Sequence, residues 1–205
     1  MSAPAFKEWA VIVRALLEGE QIVDVRKGGL REAKQGNGRR HFAVHANRFW
    51  LYPTSEHQQP ELLKDAYRHT IELSPGSPVG ESIRIDGWAD VVGVARVTEP
   101  DLLAKLDSKL IWTLDYAESR LKWKQRDPLW ILALRVHRLH EHLVVPWRDD
   151  YGGCTSWVPV EGLPEDPASL PSVPALSDEA FDARLQGVVN ELPDGLTEPE
   201  VVGAT

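Results

Sequence analysis

Two stretches of this sequence combine positive charge with groups that bind phosphate and stack on bases. Between positions 26 and 48 lie Arg26, Lys27, Arg31, Lys34, Arg39, Arg40 and Arg48 against the single acid Glu32, a local charge of +6. Gly28, Gly29, Gly36 and Gly38 are interspersed, so backbone amides could approach phosphate oxygens closely. The second stretch is Arg120-Leu121-Lys122-Trp123-Lys124-Gln125-Arg126. If extended, it sets Lys122, Lys124 and Arg126 on one face and Trp123 on the other. Phosphate attraction joined to aromatic stacking is the general chemistry of nucleic-acid grooves. The candidate contacts are Lys27, Arg31, Arg39, Arg40, Arg120, Lys122 and Lys124, with Trp123 as the stacking surface. The competing reading is a solvated loop and a solvated strand whose Trp123 belongs to the core.

A third stretch, Tyr52-Pro53-Thr54-Ser55-Glu56-His57, offers acid–base chemistry. With Lys27 and Glu32, the residues Tyr52, Thr54, Glu56 and His57 could line the site of a hydrolase acting on nucleic acid or nucleotides. His57 would titrate near neutral pH. Equally, His57 could tie a loop together. Glu8 and Asp24-Val25-Arg26-Lys27 resemble the carboxylates of a metal-dependent nuclease, but Arg26 stands where such sites need lysine. His137, His140 and His142 supply two same-face histidines on a strand without a third ligand. No metal site and no cofactor is implied. A phosphate-binding Walker loop, a dinucleotide-binding glycine motif, a nucleophile elbow and a zinc-protease motif are all missing. Whether the chain is an enzyme stays open at this level.

These residues need elements to position them. The 205 residues suit one domain plus a tail. The net charge of −8 hides a division: residues 1–160 hold 22 Lys and Arg against 21 Asp and Glu, whereas 161–205 hold one against ten. The acidity therefore belongs to the tail and argues little against a polyanionic partner for the body. All eight tryptophans lie in the body. We read 1–160 as a folded body, 161–175 as a proline-rich extended linker, 176–192 as an amphipathic helix and 193–205 as a disordered tail. Ser177 is the expected N-cap, and Phe181, Leu185, Val188 and Leu192 form one apolar stripe that must dock on this body, the simpler expectation, or on a partner.

Within the body, Trp9–Leu17 and Gln21–Lys27 read as a β-hairpin turning at Glu18-Gly19-Glu20. Pro60–His69 and Pro100–Leu106 read as helical. Ile83–Val97 reads as a strand broken near Asp86-Gly87, and Leu129–Leu139 as a long central strand. The fold class is α+β, a mixed or antiparallel curved sheet or small barrel with a few helices. No run of apolar residues is long enough to span a membrane, and no secretory start is visible. The single cysteine, Cys154, fits a reducing compartment, so a cytoplasmic location is expected.

Several of these segments resemble one family. Phe6-Lys7-Glu8-Trp9-Ala10, Arg26-Lys27-Gly28-Gly29 and Phe49-Trp50-Leu51-Tyr52-Pro53-Thr54-Ser55-Glu56-His57-Gln58 are similar to the prokaryotic domain of unknown function 1802. So are Tyr116, Ser119-Arg120, Trp123-Lys124, Pro128-Leu129 and Tyr151-Gly152-Gly153-Cys154-Thr155-Ser156-Trp157. The resemblance covers residues 6–160. Some members look fused to a restriction-endonuclease-type domain. The resemblance thus implies a DNA or RNA recognition module linked to restriction-modification or defence, working with a separate nuclease or other protein subunit.

Overall fold

The computed structural model describes residues 2–27, 33–34, 40–41, 43–74, 76, 81–122, 129–153 and 155–201. The chain opens with strand β1 (Ser2–Trp9) and runs directly into helix α1 (Ala10–Leu17). Strands β2 (Val23–Lys27), β3 (Ala33–Lys34), β4 (Arg40–His41), β5 (Ala43–Val44) and β6 (Arg48–Thr54) follow, then helix α2 (Asp65–Arg68) between single 3₁₀ turns. Next come strand β7 (Ile83–Val97), helices α3 (Pro100–Leu106) and α4 (Leu114–Lys122), and strands β8 (Leu129–Val145), β9 (Trp157–Glu161) and β10 (Ser172–Pro174). Helix α5 (Asp178–Val189) and the short strand β11 (Glu200–Val201) end it. No helix among the described residues is long and apolar enough to cross a membrane.

The class is α+β, built on an open seven-stranded sheet in the order β10-β8-β7-β6-β1-β9, with β2 also paired to β8. All pairs in it are antiparallel except β1 with β6. The 15-residue β7 and 17-residue β8 form its spine. Their ladder shifts register between Ile85 and Gly87 and again between Val91 and Gly93, which bends the sheet. The break expected near Asp86-Gly87 is therefore a bulge inside one continuous strand. Both faces of the sheet are covered. Phe49 and Leu51 of β6 join a core with Phe6, Ile12, Leu132 and Phe181, while Trp50 and Tyr52 join a second with Ala5, Ile85, Trp88 and Tyr151. Two buried faces explain the unbroken apolar run of β6.

The expected hairpin over 9–27 is corrected on its first arm, since Ala10–Leu17 is helical. A run apolar on every side suits a buried helix as well as a strand. Arg14 pairs with Glu18 one turn on at 2.6 Å, and Gly19 takes φ +70° while its amide bonds the Leu16 carbonyl. Those are helix signals, the last a glycine just past a helix end. Pro60–His69 is helical only in short turns, and β8 runs past Leu139 to Val145.

After residue 160 the chain stays on the body as far as the structure describes it. Ser172–Pro174 adds a strand to β8 beyond the end of β2. Ser177 caps α5 by accepting from the Ala180 amide at 3.2 Å, and Phe181, Val188 and Leu192 enter the main core. The segment after Leu192, expected to be disordered, is instead seated to Val201. Thr197 exchanges backbone bonds with Val94 at 2.8 and 2.9 Å, and β11 pairs in parallel with β5. Leu196 gives this segment an apolar anchor over Gly93, where a Cβ would lie 2.8 Å from that of Leu196.

Gly87 is the tightest point of the spine. A Cβ there would lie 2.3 Å from the His137 carbonyl oxygen and 2.5 Å from Leu17. Gly87→Ala should therefore cost about 3 kcal/mol through forced repacking. Val92→Ala, at a 40% exposed site on the same strand, should cost less than about 0.5 kcal/mol. Urea unfolding of the two variants checks this, and equal midpoints would contradict it.

Candidate functional site

Strand β1 presents consecutive charged residues, Lys7 and Glu8, and both are buried. An ammonium has three protons to donate, and Lys7 Nζ places them on Glu56 Oε2 at 2.6 Å, the Tyr151 carbonyl at 3.0 Å and the Gly153 carbonyl at 2.8 Å. The Glu56 amide donates to Thr54 Oγ1, and the Gly153 amide approaches Glu56 Oε1 at 3.5 Å. One lysine thus clamps the turn after β6 and the 151–153 loop onto β1. The bond from Lys7 holds the Glu56 carboxyl below its ordinary range. Tyr52 is buried beside Tyr151, edge to face at 6.4 Å. Burial, then the charge of Glu56, pushes its hydroxyl up to about 12, so it stays protonated at neutral pH. His57 takes φ +63° at the turn.

Glu8 enters a second network with β2. The Arg26 guanidinium meets Glu8 Oε2 at 2.5 Å and Asp24 Oδ2 at 2.7 Å, donates to the Lys7 carbonyl at 3.0 Å, and lies 4.1 Å above the Phe6 ring. Strands β1 and β2 do not pair, so Arg26 bridges the gap between them. Glu8 Oε1 also accepts from the Trp9 amide at 2.6 Å. Asp24 is fully buried, and its Oδ1 has no hydrogen-bond partner among the described residues. Burial raises the Glu8 carboxyl to about 7 against the opposing pull of Arg26, and burial likewise raises Asp24. Arg120 of α4 acts on both carboxylates, and the rings of Trp9, Trp112 and Tyr116 pack in series, tilted against one another, at 4.8 and 4.6 Å.

The register of β2 decides where the basic stretches go. Lys27 stands opposite Leu129 and Arg26 opposite Trp130, while across the other edge of β8 Arg96 stands opposite Trp130 and Val97 opposite Leu129. The end of β2, the end of β7 and the start of β8 therefore form one edge of the fold. Lys122 ends α4 on the approach to the same edge. Arg120 and Lys122 thus lie on a helix, not on the strand their alternation suggested. Thr113 starts that helix by accepting from the Tyr116 amide at 3.3 Å, and a Glu118–Lys122 pair runs along it at 3.2 Å.

Arg40 lies on β4, paired with β3. Arg31, Glu32, Arg39, Trp123, Lys124 and Cys154 fall outside the described residues. The structure groups Tyr52, Thr54, Glu56 and His57 around Lys7, and Arg120 beside Arg26. His137 stacks flat on Trp88 at 3.9 Å. Sequence reasoning paired Glu8 with Asp24 but passed over Lys7, Arg26 as a bridge, and Arg96. The one available signal was the run Phe6-Lys7-Glu8-Trp9, two charges inside an otherwise apolar strand.

The family model of a domain of unknown function, DUF1802, matches residues 5–187. No curated protein matches the chain. Among solved structures, the ASCH protein of Zymomonas mobilis is similar with 14% identity and a TM-score of 0.40, over 97% of this chain and 99% of that one. A serine-to-alanine mutant of the same protein gives 11% identity and a TM-score of 0.46, over 78% of this chain and 89% of that one.

The Glu8 proton yields a signed expectation. A folded-state value near 7 against an ordinary 4.5 means that the folded chain holds this proton more tightly than the unfolded chain does. The resulting stability is complete below pH 4.5 and is lost as pH rises toward 7. Glu8→Gln should flatten the fall of the urea midpoint across that window. Parallel pH curves for parent and variant would refute the assignment.

Proposed function

The chain belongs to the DUF1802 family, and we propose that it is a nucleic-acid recognition module whose contact surface is the edge shared by β2, β7 and β8. The observation that carries this reading is the pairing of Lys27 with Leu129. Its support is that Lys27 and Leu129, about a hundred residues apart in sequence, are strand partners. In the sequence Arg31 follows Lys27 by four residues and Lys124 precedes Leu129 by five. Arg96, Arg120 and Lys122 add charge from β7 and α4. Several cations converging on one edge suit a phosphate backbone, where each contact releases a counterion. Trp123, one residue past Lys122, is the stacking candidate within this surface.

A hydrolase centred on Lys27, Glu56 and His57 has less in its favour. Glu56 is engaged by Lys7, whose three donors are all used, and Tyr52 is a protonated core residue.

The test is a salt series. Replacing Lys27, Arg31, Lys122 and Lys124 by Gln should reduce the slope of log K against log salt by about three to four for duplex DNA, at roughly 0.9 per phosphate contact. The melting temperature should stay nearly unchanged, since charges away from caps and buried networks contribute little to folding. Fluorescence anisotropy with labelled single- and double-stranded oligonucleotides reads the slope. An unchanged slope in the folded quadruple variant would return this edge to ordinary solvated surface.

A further inference from the structure

The stretch from Leu192 to Val201 crosses the body as a strap. It carries Asp194, Glu198 and Glu200 and no basic residue. Three attachments hold it: Leu196 seated over Gly93, the backbone exchange between Thr197 and Val94, and the two-residue pairing of β11 with β5. Each attachment is adjacent to the charge described above. Val94 is two residues before Arg96 on β7, and β5 follows Arg40 in the basic 26–48 stretch. Beneath the strap lies a cleft of about 510 Å³. Arg96, Lys105 and Trp130 line it from the body, and Asp194 and Thr197 from the strap. Glu99 and Asp101 of the body stand beside Arg96 and Lys105 in the lining, and Asp194 adds one carboxylate from the strap to the same cleft.

We propose that this acidic strap is a built-in competitor for the polyanion, which must displace it to reach the β7–β8 edge. The inference rests on the nucleic-acid reading above and adds regulation to it. The physical basis is a match of sign and a weak hold. An extended acidic segment lowers the positive potential that attracts phosphates. A strap tied by one bridge and one two-residue ladder opens locally at small cost, while α5 stays anchored by Phe181 and Val188. The cleft then becomes open groove, with Trp130, Arg96 and Lys105 accessible to the incoming strand.

The experiment uses the full chain and two kinds of variant. A charge variant carries Asp194→Asn, Glu198→Gln and Glu200→Gln and keeps the attachments. A latch variant carries Leu196→Gln and Thr197→Pro, which removes the apolar anchor and the donor to the Val94 carbonyl without changing charge. Melting curves confirm that each is folded. Anisotropy with labelled oligonucleotides at low salt should show both variants binding about three- to tenfold more tightly than the parent, with the gain in the charge variant fading as salt rises. Equal affinity for the parent and both variants overturns the competitor while leaving the nucleic-acid reading intact. Tightening in the charge variant alone also overturns displacement, leaving only general electrostatics. If no protein binds any oligonucleotide at low salt, the nucleic-acid reading fails and the strap inference fails with it.

Discussion

Arg26 occupies the one place where the sheet could close and does not. Strands β1 and β2 approach without a ladder between them, and a single guanidinium satisfies a backbone carbonyl on one strand and carboxylates on both. Burying such a group is tolerable only when its donors meet good acceptors, because the desolvation of three charges otherwise outweighs their attraction. Much of the architecture follows from meeting that condition. Glu8 must be on β1 in register with Lys7, Asp24 must be two residues before Arg26 on the same face of β2, and α4 must bring Arg120 alongside. The leftover acceptor of Asp24 and the raised proton affinity of Glu8 are what remains when two carboxylates share a dry site with one bridging cation.

The two lysines flanking this bridge divide the labour. Lys7 is an internal fastener, saturated by one carboxylate and two carbonyls. Lys27, one residue beyond Arg26, stands where β2 ends and the glycine-containing stretch begins. The same local sequence therefore ties the open sheet together across its seam and, in the function proposed above, carries the start of the contact surface. That arrangement couples the folding of the seam to the placement of the basic edge: without the Arg26 bridge, the register that sets Lys27 against Leu129 would lose its anchor on β1.

Local signals carried much of the fold. The Ser177 cap, the proline-led helix at Pro100, the bulge around Gly87 and the long β8 each have a cause within a few residues. Helix α1 did not, because Val11, Ile12, Val13 and Leu16 are buried all round and periodicity vanishes when every face is apolar. The seam network was beyond reach for a different reason. Lys7, Glu56 and Gly153 are joined only by topology, and nothing near any of them announces the other two. The basic stretches were visible as composition, whereas the pairing of Lys27 with Leu129 is a strand register that composition cannot express. The seating of the tail likewise needed Gly93, whose missing side chain makes room for a leucine about a hundred residues later.

Strand β1 also has a bearing on how the protein is made. It lies between β6 and β9 in the sheet, yet its antiparallel partner β9 lies at residues 157–161, with Ser2 opposite Glu161. At a synthesis rate of roughly 5–20 residues per second, the earliest strand waits about 8 to 30 s before that neighbour leaves the ribosome. During the interval β6 can cover one edge, but the other presents a bare row of amides and carbonyls beside buried-type side chains. Nascent chains of this topology should depend on ribosome-associated chaperones through most of translation. The completion of the β1 edge thus awaits the arrival of β9, after the β7–β8 spine has been made.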